Sequence, residues 1–123
     1  MEEFYIEPTK SSPEVEFKPE ENELIIKGES YPENSFAFYQ PIFDLIETAV
    51  SKPDEFKFIV EVNYLNTSST KSFMNILDIL EKAYKNGNNL VVIWYYDEDN
   101  EHSYELASDF KEYLELPFDI VAK

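Results

Sequence analysis

The sequence contains no cysteine, only two glycines and a single histidine, and each shortage removes a class of function. Without cysteine the chain can form neither a disulfide framework nor a thiolate metal site or thiol nucleophile. Two glycines, Gly28 and Gly87, are too few for the glycine-rich nucleotide-binding loops of Rossmann proteins and P-loop NTPases. With His102 alone, multi-histidine zinc chemistry is excluded and a histidine-based catalytic triad is disfavoured.

Basic residues are also scarce, which limits the partners that the protein can bind. Ten basic residues against 26 acidic ones give a formal net charge of -16, and this field repels nucleic acid and anionic membrane surfaces. We therefore expect protein partners with basic patches, although such acidity also serves solubility alone. The sequence starts without a basic signal region and has no apolar run of membrane length, which predicts a cytoplasmic protein.

Apolar residues, in contrast, are numerous enough for one folded domain. Of the 123 residues, 43% are hydrophobic and 16% are aromatic, which argues against disorder despite the high charge. No low-complexity linker or internal repeat divides the sequence, so we predict a single domain over residues 1–123.

Apolar periodicity predicts an α/β fold. Residues 14–18 and 23–28 alternate around turn residues as a β-hairpin, and an apolar patch at 4–6 is expected along the sheet edge. The other predicted elements are a helix through 39–50, a strand at 56–64, a helix through 73–84, a central strand at 90–96, an acidic loop at 97–100, a helix around 106–114 and a strand at 117–121. The β-β-α-β-α-β-α-β order, with a possible extra N-terminal strand, and the alternation at 56–64 predict a mixed sheet with helices mainly on one face.

Three details of these elements bear on the structure. Pro41 either marks the first turn of the first helix, where its missing N–H is harmless, or kinks a longer helix that begins at Asn34. Asn86-Gly87 ends the second helix, and the spacing predicts an inner face formed by Phe73, Ile76, Leu77, Leu80, Ala83 and Tyr84. Trp94 is predicted to be a core residue rather than a ligand platform.

The run Asn66-Thr67-Ser68-Ser69-Thr70 is the most informative stretch, since it lies between an apolar strand and an amphipathic helix. Four adjacent hydroxyls at a helix N-terminus offer a target for a kinase, and the helix dipole and free N–H groups favour an added negative charge. Lys71, one turn into the helix, is placed to pair with a phosphate. Because asparagine, serine and threonine are also ordinary capping residues, capping alone stays open as an explanation.

Two other segments carry candidate site residues. Tyr31, Pro32, Glu33 and Asn34 form a loop in which Tyr31 is a candidate anchor for a partner, with an ordinary strand-to-helix connection as the alternative. The acidic residues at 97–101 suggest a cation site or a carboxylate pair, but the glycine and spacing of a calcium loop are missing. A helix N-terminus explains that loop better. No nucleophile, base and oxyanion stabiliser come together, so catalysis is not expected.

Three stretches of the sequence carry a resemblance to a known family. They are Gly28-Glu29-Ser30-Tyr31-Pro32-Glu33-Asn34 with Phe38-Tyr39-Gln40-Pro41, then Tyr64-Leu65-Asn66-Thr67-Ser68-Ser69 with Lys71, and Trp94-Tyr95-Tyr96-Asp97-Glu98-Asp99. In these stretches the chain resembles the SiaC family of bacterial regulatory phosphoproteins, and Pro8-Thr9 with Ser12-Pro13-Glu14-Val15 extends the likeness to nearly the whole chain. The resemblance implies a STAS-like topology of the anti-sigma factor antagonist type.

The same resemblance implies a switch and its partners. Thr67 falls on the family's phosphoacceptor, with Ser68 and Ser69 as fallback positions, while Asn66 and residues 68–71 shape the site. A partner kinase adds the phosphate and a PP2C-like phosphatase removes it. In the best-known system of the family, the unmodified protein binds and activates a diguanylate cyclase, and phosphorylation releases it. Control of an anti-sigma-type partner or another effector is the alternative.

We therefore expect a non-enzymatic protein without a cofactor, in which the Tyr31–Asn34 loop contributes to the partner surface. Two alternatives stay open: a small metal-dependent enzyme that uses the acidic 97–101 loop, and an interaction domain that is never modified. Metal titration followed by Trp94 fluorescence tests the first alternative. Identical partner binding by Thr67→Ala and Thr67→Glu would support the second.

Overall fold

The computed structural model describes residues 2–123, which form three strands followed by three helix–strand pairs. The strands are β1 (Phe4–Ile6), β2 (Glu14–Lys18), β3 (Glu23–Ser30), β4 (Phe56–Leu65), β5 (Leu90–Tyr96) and β6 (Phe118–Ala122). The helices are α1 (Ser35–Val50), α2 (Thr67–Lys85) and α3 (Glu101–Glu112). This order confirms the prediction, including the extra N-terminal strand at the sheet edge. Within the described residues, no helix has the length and apolar character needed to cross a membrane.

The strands form one mixed sheet in which each strand pairs with its neighbour in the sequence. β1, β2 and β3 are antiparallel, whereas β3, β4, β5 and β6 run parallel. Right-handed crossovers that all advance in the same direction place their helices on one face of the sheet. In β4, Phe58 and Val60 are fully buried while Lys57 and Glu61 on the other face are partly exposed. The predicted mixed sheet with helices on one face is therefore confirmed.

Aromatic side chains between the sheet and the helices form the centre of the core. Tyr39 of α1, Phe73 of α2 and Trp94 of β5 are fully buried, and the ring centroids are 5.9 Å apart for Tyr39–Phe73 and 6.0 Å for Phe73–Trp94. Trp94 stacks on Phe118 at 6.3 Å and donates its Nε1–H to the Ser103 hydroxyl at 3.3 Å. Because buried aromatic side chains dominate core energetics, Trp94 has the structural role that its sequence context predicts.

The first helix follows the longer of the two predicted alternatives. α1 begins after Asn34, whose Oδ1 accepts a hydrogen bond from the Ala37 N–H at 3.1 Å, and it continues through Pro41 to Val50. Proline has no N–H for the Ala37 carbonyl one turn earlier. Both residues are exposed, so water can satisfy that carbonyl and the helix continues.

Three local predictions differ from the structure. β3 continues beyond Gly28 to Ser30, and a register shift after Gly28, which has a φ of 111°, accommodates the extension. The helical spacing places Tyr84 on the inner face of α2, but its side chain is 37% exposed because it lies past Ala83, where the packed stripe ends. β6 starts one residue later than predicted. Pro117 has no N–H to donate to a strand pairing, and only its carbonyl bonds to β5.

Candidate functional site

The hydroxyl run lies where β4 ends and α2 begins, at the carboxyl end of the parallel strands. Asn66 caps the helix: its Oδ1 accepts hydrogen bonds from the Ser69 N–H at 2.9 Å and from the Ser68 hydroxyl at 3.2 Å. The Asn66 N–H donates to the Ser30 carbonyl at the end of β3, at 3.0 Å. Since α/β sheets present functional groups at the carboxyl ends of their strands, the run occupies a position where a site is expected.

The four hydroxyls of the run have different environments. Ser69 is fully buried and shares hydrogen bonds with hydroxyls of neighbouring elements. Thr70 donates to the Asn66 carbonyl at 2.9 Å, and Ser68 is exposed but donates to the Asn66 side chain. Thr67 is exposed, and among the described residues its hydroxyl has no hydrogen-bond partner. Of the four, Thr67 is the exposed hydroxyl that no hydrogen bond to the described residues holds in place.

A chain of hydroxyls, buried except at its Ser68 end, joins this turn to α1 and β3; we call it the buried hydroxyl chain. The Tyr39 hydroxyl bonds to that of Ser30 at 2.7 Å, Ser30 to Ser69 at 2.8 Å, Ser69 to Ser35 at 3.2 Å, and Ser35 to Ser68 at 2.9 Å. Burial raises the pKa of the Tyr39 hydroxyl well above its usual range, so this group stays neutral and can donate. The hydroxyl chain fixes the first turn of α2 to the first turn of α1 and to the end of β3. Thr67 has no part in it.

The first turn of α2 is open to a negative charge. It contains no acidic side chain, although the protein has 26 acidic residues. Lys71 is exposed and lies one turn from Thr67 on the same side of the helix. An anion near a helix N-terminus typically gains about 0.3–1 kcal/mol from the dipole. A phosphate on Thr67 would therefore be stabilised by the helix and by Lys71 together.

The predicted partner segment lies against this turn. Tyr31 packs edge-to-face on the exposed ring of Tyr64, with ring centroids 6.0 Å apart. Asn34 caps α1, Glu33 is exposed and Pro32 is half-buried. Because the buried hydroxyl chain joins the start of α1 to the start of α2, the two predicted segments form one continuous surface.

Known proteins match the chain along nearly its whole length. The family model described as SiaC family regulatory phosphoprotein matches residues 6–123. The chain belongs to the SiaC family. A curated relative, an uncharacterized protein of Pseudomonas aeruginosa (strain UCBPP-PA14), is 36% identical over 123 residues, which cover 99% of this chain and 98% of the relative.

Solved structures of SiaC from Pseudomonas aeruginosa have the same fold as this SiaC-family protein. One structure of SiaC is 34% identical and covers 100% of both chains with a TM-score of 0.93. Another is the crystal structure of the diguanylate cyclase SiaD in complex with its activator SiaC; it is 36% identical and covers 98% of this chain and 99% of that chain, with a TM-score of 0.94. The fold and the family predicted from the sequence are thus confirmed.

The acidic loop of this SiaC-family protein has a structural explanation. Asp97 Oδ1 accepts a hydrogen bond from the Asp99 N–H at 2.9 Å, and Asn100 caps α3 by accepting from the Ser103 N–H at 3.1 Å. In the part of the chain that the structure describes, no group of three or more His, Cys, Asp or Glu residues could hold a metal ion. His102 is exposed in the first turn of α3. The polar residues of the loop therefore start a helix.

Sequence reasoning missed the residues that support the site. Ser30, Ser35 and Tyr39 hold the first turn of α2 in place, and the sequence analysis identified none of them as supporting the site. The alternation of β3 could have indicated Ser30. This residue lies an even number of positions from the buried Leu24 and Ile26, so its side chain is on the same face of the strand, towards the helices. A serine on a buried face needs a hydrogen-bond partner, and the serines of the α1 and α2 first turns are the nearest candidates in the topology.

Proposed function

We propose that this SiaC-family protein is a non-enzymatic regulator, switched by phosphorylation of Thr67, that acts through contact with an effector protein. The environment of the Thr67 hydroxyl carries the proposal. It is exposed, has no hydrogen-bond partner among the described residues, and stands at a helix N-terminus that lacks acidic side chains. Ser68 is the second choice of acceptor. Modification of Ser69 would first require the buried hydroxyl chain to open.

Phosphorylation would change the partner surface without unfolding the domain. A phosphothreonine carries about -1.5 to -2 charges at neutral pH and three acceptor oxygens. The Asn66 cap and the buried hydroxyl chain do not use the Thr67 hydroxyl, so both can persist after modification. What changes is the charge and bulk that a docked partner meets beside Lys71.

The unphosphorylated form is the one that binds the effector in this proposal, and the effector is a diguanylate cyclase. The support comes from a relative, since SiaC of Pseudomonas aeruginosa is the activator in a complex with the cyclase SiaD. The surface formed by Tyr31, Pro32, Glu33 and Asn34 adjoins Thr67 and contributes to the contact. A protein kinase adds the phosphate, a PP2C-like phosphatase removes it, and all three partners meet the protein in the cytoplasm.

The phosphorylation state tests the switch directly. Protein recovered from its native host is analysed by intact mass and peptide fragmentation, with and without phosphatase treatment. We expect a single phosphate on Thr67. A phosphate on Ser68 would keep the switch and correct its position. Absence of phosphate under every growth condition, and after co-expression with a neighbouring kinase, would refute the switch.

A further inference from the structure

A groove runs along the outer surface of the helical layer, between α1 and α2. Its floor is apolar: Phe43 of α1 and Ile79 of α2 are half-buried, and Phe36 of α1 stands at one end with 69% of its side chain exposed. A phenylalanine so exposed on a helix contributes little to the core of the isolated domain. Burying its ring against a partner would remove apolar surface from water and so favour binding.

Carboxylates line one end of the groove. Asp44 and Glu47 of α1 face Asp78 of α2 across it, and Lys82 is the one cation among the described residues that line this part. Asp44 is held in place by a hydrogen bond that its Oδ1 accepts from the Gln40 amide at 3.2 Å. A segment that fills this end must therefore supply positive charge, which agrees with the net charge of -16 for the whole chain.

The other end of the groove opens at the modification site. Phe36 and Asn75 line both parts, and beyond them the groove continues between Ser68 and Lys71 of α2 and the first turn of α1. Both helices begin at this end, so their positive dipole ends point out of it together with Lys71. Glu33 also lines this end and offsets the charge of Lys71, so the helix dipoles alone leave the end weakly positive. The end at Asp44 and Asp78 is negative.

We propose that the groove between α1 and α2 binds an amphipathic α-helix of the effector, with basic side chains over Asp44 and Asp78 and the C-terminal end of the helix beside Lys71. An amphipathic helix from a partner is the element that packs into a groove between two neighbouring helices. From Phe36 to Glu47 the groove is about 16 Å long, which corresponds to about three helical turns.

The regulation of this contact rests on the proposed phosphorylation of Thr67. A phosphate there would reverse the charge at the end of the groove where the partner helix presents its negative dipole end and C-terminal carbonyl groups. Repulsion at that end releases the helix although the carboxylates at the other end still attract it. The groove thereby links the charge change at Thr67 to effector release.

Paired charge reversals test the groove. Asp44→Lys with Asp78→Lys is compared with Asp109→Lys and Glu105→Lys, two exposed acids of α3 outside the groove that give the same net charge. Binding to the purified diguanylate cyclase of the same organism should fall about tenfold or more for the groove pair and less than about twofold for the α3 pair. Equal losses would show that only overall charge matters and would overturn the groove.

An apolar pair provides a second comparison. Phe36→Ala should weaken cyclase binding about tenfold, whereas Tyr113→Ala, at an aromatic residue that is 83% exposed outside the groove, should have little effect. Wild-type protein that binds the cyclase and Thr67→Glu protein that does not would together support the switch. If Phe36→Ala and the groove charge pair nevertheless bind like the wild type, the groove proposal fails although the switch stands.

A synthetic helix tests the groove without the cyclase. The probe has leucine at every third or fourth position, lysines in its N-terminal half and a free C-terminal carboxylate; the control has glutamates in place of the lysines. In ¹H–¹⁵N NMR spectra, the lysine probe should shift the amide signals of Phe36, Phe43 and Ile79, and the control should not. Absence of these shifts would overturn the groove, whereas their presence without cyclase binding would support the groove and refute the proposed effector.

Discussion

Thr67 and Ser69 are two residues apart and both carry a hydroxyl, yet the fold gives these groups opposite roles. The Ser69 hydroxyl is buried and bonds to Ser30 and Ser35, so it holds three elements together. The Thr67 hydroxyl is exposed, and its side chain is free to change without disturbing those bonds. One turn of helix thus contains both the group that is modified in our proposal and the group that keeps the turn fixed.

Thr67→Glu and Thr67→Gln test the charge at this position with side chains of similar size. We expect Thr67→Glu to weaken effector binding at least about tenfold because the negative charge repels the partner, and Thr67→Gln to bind like the wild type. The free energy of unfolding of both variants should stay within about 0.5 kcal/mol of the wild type, as is usual for exposed positions. Isothermal titration calorimetry with the cyclase and urea unfolding provide the measurements. Equal binding by the two variants would contradict the switch.

Ser69→Ala and Thr67→Ala separate the structural hydroxyl from the exposed one. Ser69→Ala leaves the buried hydroxyls of Ser30 and Ser35 with one partner fewer, so we expect a loss of about 1–3 kcal/mol in the free energy of unfolding. Thr67→Ala removes a hydroxyl that bonds to none of the described residues and should cost less than about 0.5 kcal/mol. Urea unfolding of both variants measures the difference, and similar costs would mean that the hydroxyl chain contributes no stability.

At the scale of the element, α1 shows how packing overrides local preference. Pro41 lies inside the helix and removes one hydrogen bond, which in isolation would end or kink it. The helix continues because Tyr39, Ile42 and Ile46 are fully buried on its inner face, while Pro41 is on the exposed face. The burial of three large side chains outweighs one missing hydrogen bond.

Pro41→Ala should therefore stabilise the protein. Alanine restores the N–H for the Ala37 carbonyl and removes the clash of the proline ring. The free energy gained in the folded state exceeds the stabilisation that proline provides by lowering the entropy of the unfolded chain. We expect the free energy of unfolding to rise by about 1–2 kcal/mol. Glu47→Ala, at another exposed position of α1, serves as the control and should change it by less than about 0.5 kcal/mol. Unchanged or lower stability of Pro41→Ala would contradict this account and show that Pro41 does not destabilise the helix.

Across the whole molecule, electrostatic repulsion opposes folding. Ion pairs such as Lys123–Glu61 at 3.1 Å and Lys27–Glu61 at 3.9 Å lie at the surface and contribute little against a net charge of -16. Crowding of acids is visible at Glu23, where partial burial and then the neighbouring Glu21 raise the pKa of the carboxyl group. A carboxyl group with a raised pKa binds its proton more tightly in the folded state than in the unfolded state.

Stability should therefore increase as the pH falls from 7 to 5. Protonation of Glu23 removes the cost of its partial burial as a charged group and its repulsion with Glu21 in the folded state, and this contribution is lost again as the pH rises through the folded-state pKa of Glu23. Urea unfolding at constant ionic strength measures the trend, and Glu23→Gln should make it less steep. A free energy of unfolding that falls from pH 7 to pH 5 would contradict this account.

Much of this molecule was predictable because its apolar periodicity is regular. The alternation of Phe58 and Val60 with charged neighbours predicts a sheet covered on one face, and the structure confirms it. The position of the candidate site also follows from local sequence, since Asn66 and the hydroxyls lie between a strand and a helix. The contact of Ser69 with Ser30 was not predictable, because it joins residues 39 positions apart and depends on strand order and register.

The order of the strands also determines how the domain can form during synthesis. Because each strand pairs with the one made just before it, every new unit can add to an existing sheet edge as the chain leaves the ribosome. Trp94 belongs to β5, but its stacking partner Phe118 belongs to the last strand. Until β6 adds to the edge of β5, Trp94 lacks its stacking contact with Phe118. The fluorescence of this single tryptophan should therefore report when the last strand of the sheet has docked.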